Sequence, residues 1–268
     1  MTSAAEHFEA GRLDEAIAAA TESVRAKPAD TDARGFLAEL LCFNGDIERA
    51  DKHLDAIAKV AGEAAKGVLI FRQILRGELT RREVLEAGRA PDMLQPPDAW
   101  LQLHIAGLVA LRDGRPADAL ASLAAADEAR PRAPGRADKG EFDDLRDLDD
   151  LLAPVMEAIT IDGRYLWLPV TSLKLLAFRP PERARDLIWR RAQMELTDGK
   201  RGEVFVPALY PMPPGTVPSL RLGRETDWHA EPGSPVRGIG RKCLLLGEED
   251  QDIMALGLVN FDRPAIAA

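Results

Sequence analysis

Cysteine and histidine are scarce in this 268-residue sequence, at two and four residues, and only 5% of it is aromatic. Two cysteines build neither a disulfide framework nor a zinc cluster, and they suit a reducing compartment. The histidines, His7, His53, His104 and His229, show no metal-binding spacing. Positive charge is short too: Lys+Arg is 35 against 44 for Asp+Glu, a net −9 that the halves either side of Gly140 share as −4 and −5. Nucleic acid and anionic membranes are therefore disfavoured as partners. The most apolar stretch, Ala99–Leu111, has 13 residues, short of the roughly 20 that a membrane span needs. The first residues lack the basic start and apolar centre of a signal peptide, so a cytoplasmic protein is expected. No Walker A loop and no Gly-x-Ser-x-Gly elbow occurs, and Gly238-Ile-Gly240 reads as a turn. No cofactor or metal is expected.

What is present divides near the middle. Residues 1–140 are rich in alanine and hold 7 of 19 prolines and 5 of 14 aromatics; the shorter remainder holds the rest. Few breakers favour helices, whereas aromatics with Pro and Gly favour short strands and turns. The junction Pro131–Gly140 has linker composition. Two domains are expected, a helical one over 1–135 and an α+β one over 141–268.

The first half repeats. Gly11-Arg-Leu-Asp-Glu-Ala16 returns as Gly45-Asp-Ile-Glu-Arg-Ala50, 34 residues on, and as Gly114-Arg-Pro-Ala-Asp-Ala119, 69 further. Turn glycine, small alanine and a closing proline at this period make the tetratricopeptide pattern of stacked helix pairs. Gly allows the tight turn, Ala lets helices approach, and Pro28 and Pro131 stop them. Helices are predicted over Arg12–Ala26, Asp32–Phe43, Ile47–Val60, Ala64–Leu75, Trp100–Leu111 and Pro116–Ala129. Gly77 follows Gly45 by 32 but has Arg82 where alanine belongs, so a unit there is degenerate or absent. A superhelix of such pairs offers a groove, with Phe36, Leu40 and Phe43 as candidate lining residues.

In the second half, Leu145, Leu148, Leu152 and Val155 recur at helical spacing and predict a helix over Glu141–Ala158. Asp162-Gly163 and Asp198-Gly199 read as hairpin turns, with strands over 159–169, 172–178, 192–197, 202–208 and 242–247. A short helix is predicted over Pro181–Trp189. Paired Asp-Gly hairpins imply a small curled antiparallel sheet or barrel.

These residues also carry a family resemblance. Phe142-Asp-Asp-Leu-Arg-Asp-Leu-Asp-Asp150, Gly163-Arg-Tyr-Leu-Trp-Leu-Pro169, Arg185-Asp-Leu-Ile-Trp-Arg190, Phe205–Pro211, Leu220–Trp228 and Val236–Gly240 resemble, in order, motifs of the ImpE family, the TagJ or SciE-type proteins. The resemblance implies an accessory protein of the type VI secretion system. It also implies a partner, the small subunit of the contractile sheath engaged through its N-terminal helix, and a proposed link to sheath recycling by the ClpV ATPase. The family brings no catalytic residues.

The reading is a non-enzymatic adaptor. Arg146, Asp147, Asp149, Asp150, Trp167, Arg185, Asp186, Trp189, Asp227 and Trp228 are expected to be structural, with Arg146, Asp147, Asp149 and Asp150 tying the linking helix to the second domain through partners such as Arg185 or Arg190. Two alternatives stay open: an enzyme centred on Asp147, Asp150, Arg185 and Asp227, and a repeat scaffold for an unrelated complex. His104, Cys42 and Cys243 read as packing residues.

Overall fold

A computed structural model describes residues 2–261. Seven helices come first: α1 (Ala4–Glu9), α2 (Leu13–Ala26), α3 (Thr31–Phe43), α4 (Ile47–Ala61), α5 (Lys66–Glu86), α6 (Ala99–Arg112) and α7 (Pro116–Ala129). Strands dominate afterwards: β1 (Gly135–Ala137), β2 (Gly140–Phe142), β3 (Leu145–Asp147), β4 (Val155–Thr160), β5 (Tyr165–Pro169), β6 (Leu173–Phe178), β7 (Trp189–Leu196) and β8 (Arg201–Pro207). The short helix α8 (Pro218–Arg221) precedes β9 (Thr226–His229), β10 (Arg237–Gly240), β11 (Cys243–Leu246), β12 (Glu249–Asp252) and β13 (Leu258–Phe261). The fold is thus a tetratricopeptide-like helical region followed by a strand-rich region.

The repeat is visible in the backbone. Gly11, Gly45 and Gly114 have φ of +78°, +80° and +72°, each turning one helix into the next: α1 into α2, α3 into α4, α6 into α7. That left-handed conformation costs glycine nothing and other residues about 1 kcal/mol or more. Ala16, Ala50 and Ala119 are each 0% exposed where the paired helices touch. Replacing Ala50 by Leu is expected to overpack the α3–α4 contact and cost about 1–3 kcal/mol in a urea melt; an unchanged midpoint would contradict the close approach.

No repeat turn forms at Gly77. The helix predicted to stop at Leu75 runs on to Glu86, because Phe71, Ile74, Leu75, Gly77, Glu78, Arg81, Val84 and Leu85 all bury one face of α5. That face packs on α4 and on β4 and β5. Gly77 lets α5 lie directly over Ile159, into which any Cβ would be driven.

The helix predicted over 141–158 is absent; β2, β3, a turn and β4 occupy it. Helical spacing of the leucines is real, but the aspartates between them bind backbone amides instead. Asp147 accepts from Asp149 N–H and Asp149 from Leu151 N–H, both at 2.9 Å, while Asp144 accepts from Ala133 N–H at 2.9 Å. Such local side-chain bonds compete directly with a helix. Pro181–Trp189 likewise holds only a 3-10 turn at Ala184–Leu187, and Trp189 opens β7. Gly238 and Gly240 belong to β10 rather than to a turn.

Eight strands form one antiparallel sheet in the order β2-β1-β13-β6-β7-β8-β4-β5. It is not closed into a barrel. Both Asp-Gly hairpins form, joining β4 to β5 and β7 to β8, with Gly163 and Gly199 at φ +88° and +86°. The sequence from Pro131 to Gly140 is no free linker, since β1 pairs with β13. Alternation splits the sheet between two cores. Ile159, Tyr165, Trp167, Trp189 and Phe205 face the helices, while Met156, Ala158, Leu166, Ala192 and Val206 pack on the other side with β11. No helix among the described residues is long and apolar enough to cross a membrane.

Candidate functional site

The chain leaving β8 crosses to the helices and is fastened there. Arg224 donates to the α1 carbonyls of Phe8 and Glu9 at 2.9 and 2.6 Å, capping that helix end. Arg221 donates to Asn44 Oδ1 and pairs with Asp14 at 3.4 Å. Between this crossing segment, the α3–α4 turn and the second half of α5 lies a cleft of about 960 Å³. Ile188, Trp189, Tyr210, Met212 and Val217 line it beside Glu78, Arg81, Arg82 and Glu86. Val217 is 52% exposed, an apolar side chain unused by the core.

Beneath the cleft runs a buried ionic network joining helices to sheet. Glu157, 0% exposed on β4, accepts from Arg81 Nε at 2.7 Å, Lys242 Nζ at 2.6 Å and the Tyr165 hydroxyl at 2.6 Å. Trp167 Nε1 donates to that hydroxyl at 2.7 Å. Lys242 also stands 3.2 Å from Asp147 Oδ2, an ion-pair contact, and Tyr210 donates to Asp147 Oδ1 at 2.6 Å. Glu78 accepts from Trp189 Nε1 at 3.0 Å and faces Arg81 and Arg82. Burial works against the charge on Glu157, but Arg81 and Lys242 outweigh it and hold the carboxyl well below the usual range. Burial likewise opposes the Lys242 charge, and Glu157 and Asp147 overcome it, so its pKa is raised. Burial, with Asp149 nearby, pushes the Asp147 carboxyl up. A lysine held protonated this way is no nucleophile; the network fastens the fold together.

The structure places the remaining expected residues as follows. Asp149 accepts from Arg237 Nε and Gly238 N–H at 2.9 Å each, and Asp150 accepts from Val236 N–H at 2.7 Å, so both fix the β9–β10 ribbon. Their partners are neither Arg185 nor Arg190. Arg146, half-buried on β3, opposes the rise that burial causes in the Asp150 carboxyl. Arg185 stacks on Phe71 at 4.5 Å and faces Glu39 at 3.7 Å. Asp186 accepts two backbone N–H groups, from Glu182 and Arg183, instead of forming an ion pair. Asp227 is exposed and accepts from Trp228 N–H at 2.8 Å; Trp228 lies 5.8 Å from the Tyr210 ring. Asp147, Asp150, Arg185 and Asp227 therefore have separate partners and form no common centre. Leu40 and Phe43 are 0% and 1% exposed in the inter-helix core, and Phe36 is half-buried against Phe8. Leu40 lies wholly within that core, whereas Phe43, though almost fully buried, borders the large cleft at the end of α3. His104 is buried, donating from Nε2 to Leu151 O at 2.7 Å, and burial depresses its pKa to about 4.

Glu78, Arg81, Glu157 and Lys242 are not among the residues the sequence singles out, whereas Tyr210 falls within the Phe205–Pro211 motif. Glu157 within Val-Met-Glu-Ala-Ile is a charge inside an apolar strand and Lys242 is one directly before Cys-Leu-Leu-Leu, a pattern that signals buried pairing.

A family model described as ImpE protein matches residues 139–260, and one described as tetratricopeptide repeat matches residues 7–67. The type VI secretion system accessory component TagJ of Pseudomonas aeruginosa is 35% identical over 263 residues, covering 97% of this chain and 91% of that protein. The chain belongs to the ImpE family. The crystal structure of protein VPA1032 from Vibrio parahaemolyticus shares the fold, with a TM-score of 0.91 and 24% identity over 98% of each chain. The ImpE match contains Asp147, Glu157, Tyr210 and Lys242, whereas Glu78 and Arg81 lie between the two matched regions. The α5 helix is thus the joint between the repeats and the ImpE region.

Proposed function

We propose that this chain is a cytoplasmic, non-enzymatic accessory component of a type VI secretion system. In this reading its cleft receives the N-terminal helix of the small sheath subunit and links the sheath to its ClpV-type ATPase. The secretion assignment rests on likeness to TagJ along nearly the whole chain. The cleft carries the binding reading: its floor is apolar and aromatic, its charged groups are mostly paired with one another, and Val217 stands uncovered. A helix about 10 Å wide occupies roughly 400 Å³ per turn, so about 960 Å³ admits about two turns. Apolar anchors at i, i+3/i+4 and i+7 would make binding weakly dependent on salt.

Calorimetric titration with a peptide of the sheath subunit's N-terminal helix, at two salt concentrations, tests this. Binding is expected at or below about 100 μM, equivalent to about −5.5 kcal/mol. Val217→Asp should weaken it about tenfold without moving the melting temperature, since a desolvated charge would enter the interface. No heat at about 100 μM, or an unaffected Val217→Asp, would overturn the reading.

A further inference from the structure

A second, smaller opening of about 170 Å³ lies where the loop between β6 and β7 meets the start of α5 and the β7–β8 surface. Four arginines converge on it: Arg179, Arg183, Arg185 and Arg191. Their partners are unevenly supplied. Arg191 pairs with Glu203 at 2.7 Å, but Arg185 reaches Glu39 only at 3.7 Å, and Arg179 and Arg183 make no ion pair among the described residues. Of the acids in the loop, Asp186 is occupied by two backbone N–H groups, leaving Glu182 alone against three incompletely satisfied guanidinium groups. A chain of net −9 has no shortage of carboxylates to place there. Folding does not account for leaving Arg179 and Arg183 exposed and unpaired on one small concavity.

We propose that this opening binds a carboxylate side chain from an acidic segment of a protein partner, at a place separate from the large cleft. Guanidinium forks recognise carboxylates through paired N–H donors, and Arg185, stacked on Phe71, is already held in place. Size excludes a nucleotide or other cofactor: about 170 Å³ is well below the roughly 300–1,000 Å³ of small-molecule pockets. Ile70, Pro180 and Phe205 supply apolar walls suited to the methylene stem of a Glu or Asp. Gly67 leaves the mouth open, since a Cβ there would meet nothing within 4 Å. Burial and the neighbouring Arg183 disfavour the Arg185 charge, a cost that an arriving carboxylate relieves.

Fluorescence anisotropy of a labelled hexaglutamate peptide, with the full chain at low salt, tests the site. The double variant Arg179→Glu/Arg183→Glu is expected to weaken binding about tenfold or more, and raised salt to weaken it further. Arg115→Glu/Arg136→Glu, the same charge change at exposed residues elsewhere, should shift it less than about twofold. Val217→Asp in the large cleft should leave it unchanged. Absence of binding up to about 1 mM, or equal losses in the two double variants, would overturn the site. Stronger displacement by inorganic phosphate than by acetate at equal ionic strength would assign the opening to phosphate and overturn the carboxylate reading.

Discussion

Replacing Glu157 by Gln is expected to destabilise the protein by about 3–5 kcal/mol, because Arg81 and Lys242 would stay buried with one acid too few. Urea unfolding measures it. Adding Arg81→Met should recover part of the loss, since Lys242 and Asp147 then remain as a matched pair. The coupling between the two substitutions is expected at about 0.5–3 kcal/mol; simple additivity would show that the contact contributes little. Acid should act on the wild type through two groups. His104 is held near 4 by burial, below the ordinary value of 6.5, so the unfolded chain takes up its proton first and stability falls from about pH 6.5 to about 4. Glu157 is depressed as well, so its contribution is complete above the ordinary carboxylate range, about 4.3, and is lost as pH falls below it. Urea midpoints from pH 8 to 3 should therefore decline in two successive stages, one between about pH 6.5 and 4 and one below about 4.3, and Glu157→Gln should flatten the second.

Gly77→Leu should separate what α5 joins. On helix propensity alone the change is favourable by nearly 1 kcal/mol. In place, the new side chain would be driven into Ile159, forcing α5 off β4 and carrying Arg81, one turn on, away from Glu157. Overpacking costs about 1–3 kcal/mol, and loss of the buried pair adds to it. In a Trp100→Phe background, which removes the tryptophan of α6, helical ellipticity and tryptophan fluorescence report different regions, because Trp167 and Trp189 lie at the sheet face and Trp228 on β9. With Gly77 retained their unfolding curves should coincide; with Gly77→Leu they should part, with fluorescence changing first. A stabilised variant with coincident curves would show that propensity outweighs packing here.

The parts legible in the sequence are those that local chemistry decides. Gly11, Gly45 and Gly114 each need a positive φ, so one short pattern marks three turns. The two Asp-Gly hairpins were readable for the same reason. Phe142–Asp150 was misread because its leucines satisfy helical spacing while its aspartates satisfy backbone amides, and only the distant partners Arg237 and Val236 tip the balance. Distance along the chain hid the network as well: Arg81 and Glu157 are 76 residues apart and Lys242 a further 85. At the candidate site, Trp189 was named from a motif, but the cleft it lines exists only because Arg221 and Arg224 bring a late segment back to the first two helix pairs.

The strand order has a consequence for synthesis. The last strand among the described residues, β13, lies inside the sheet between β1 and β6 rather than at its edge. A nascent chain completes its helix pairs as they emerge, each from neighbouring sequence. Its first strand hairpin, β1–β2, must wait for a partner that lies about 125 residues downstream. At about 5–20 residues per second, the ribosome leaves that gap open for roughly 6–25 s. Throughout that interval β1 presents an unpaired edge, and β6 adds a second once it has been made, the geometry that invites pairing with another chain. The ribosome-bound intermediate, rather than the finished protein, is the form in which this fold is most exposed to aggregation.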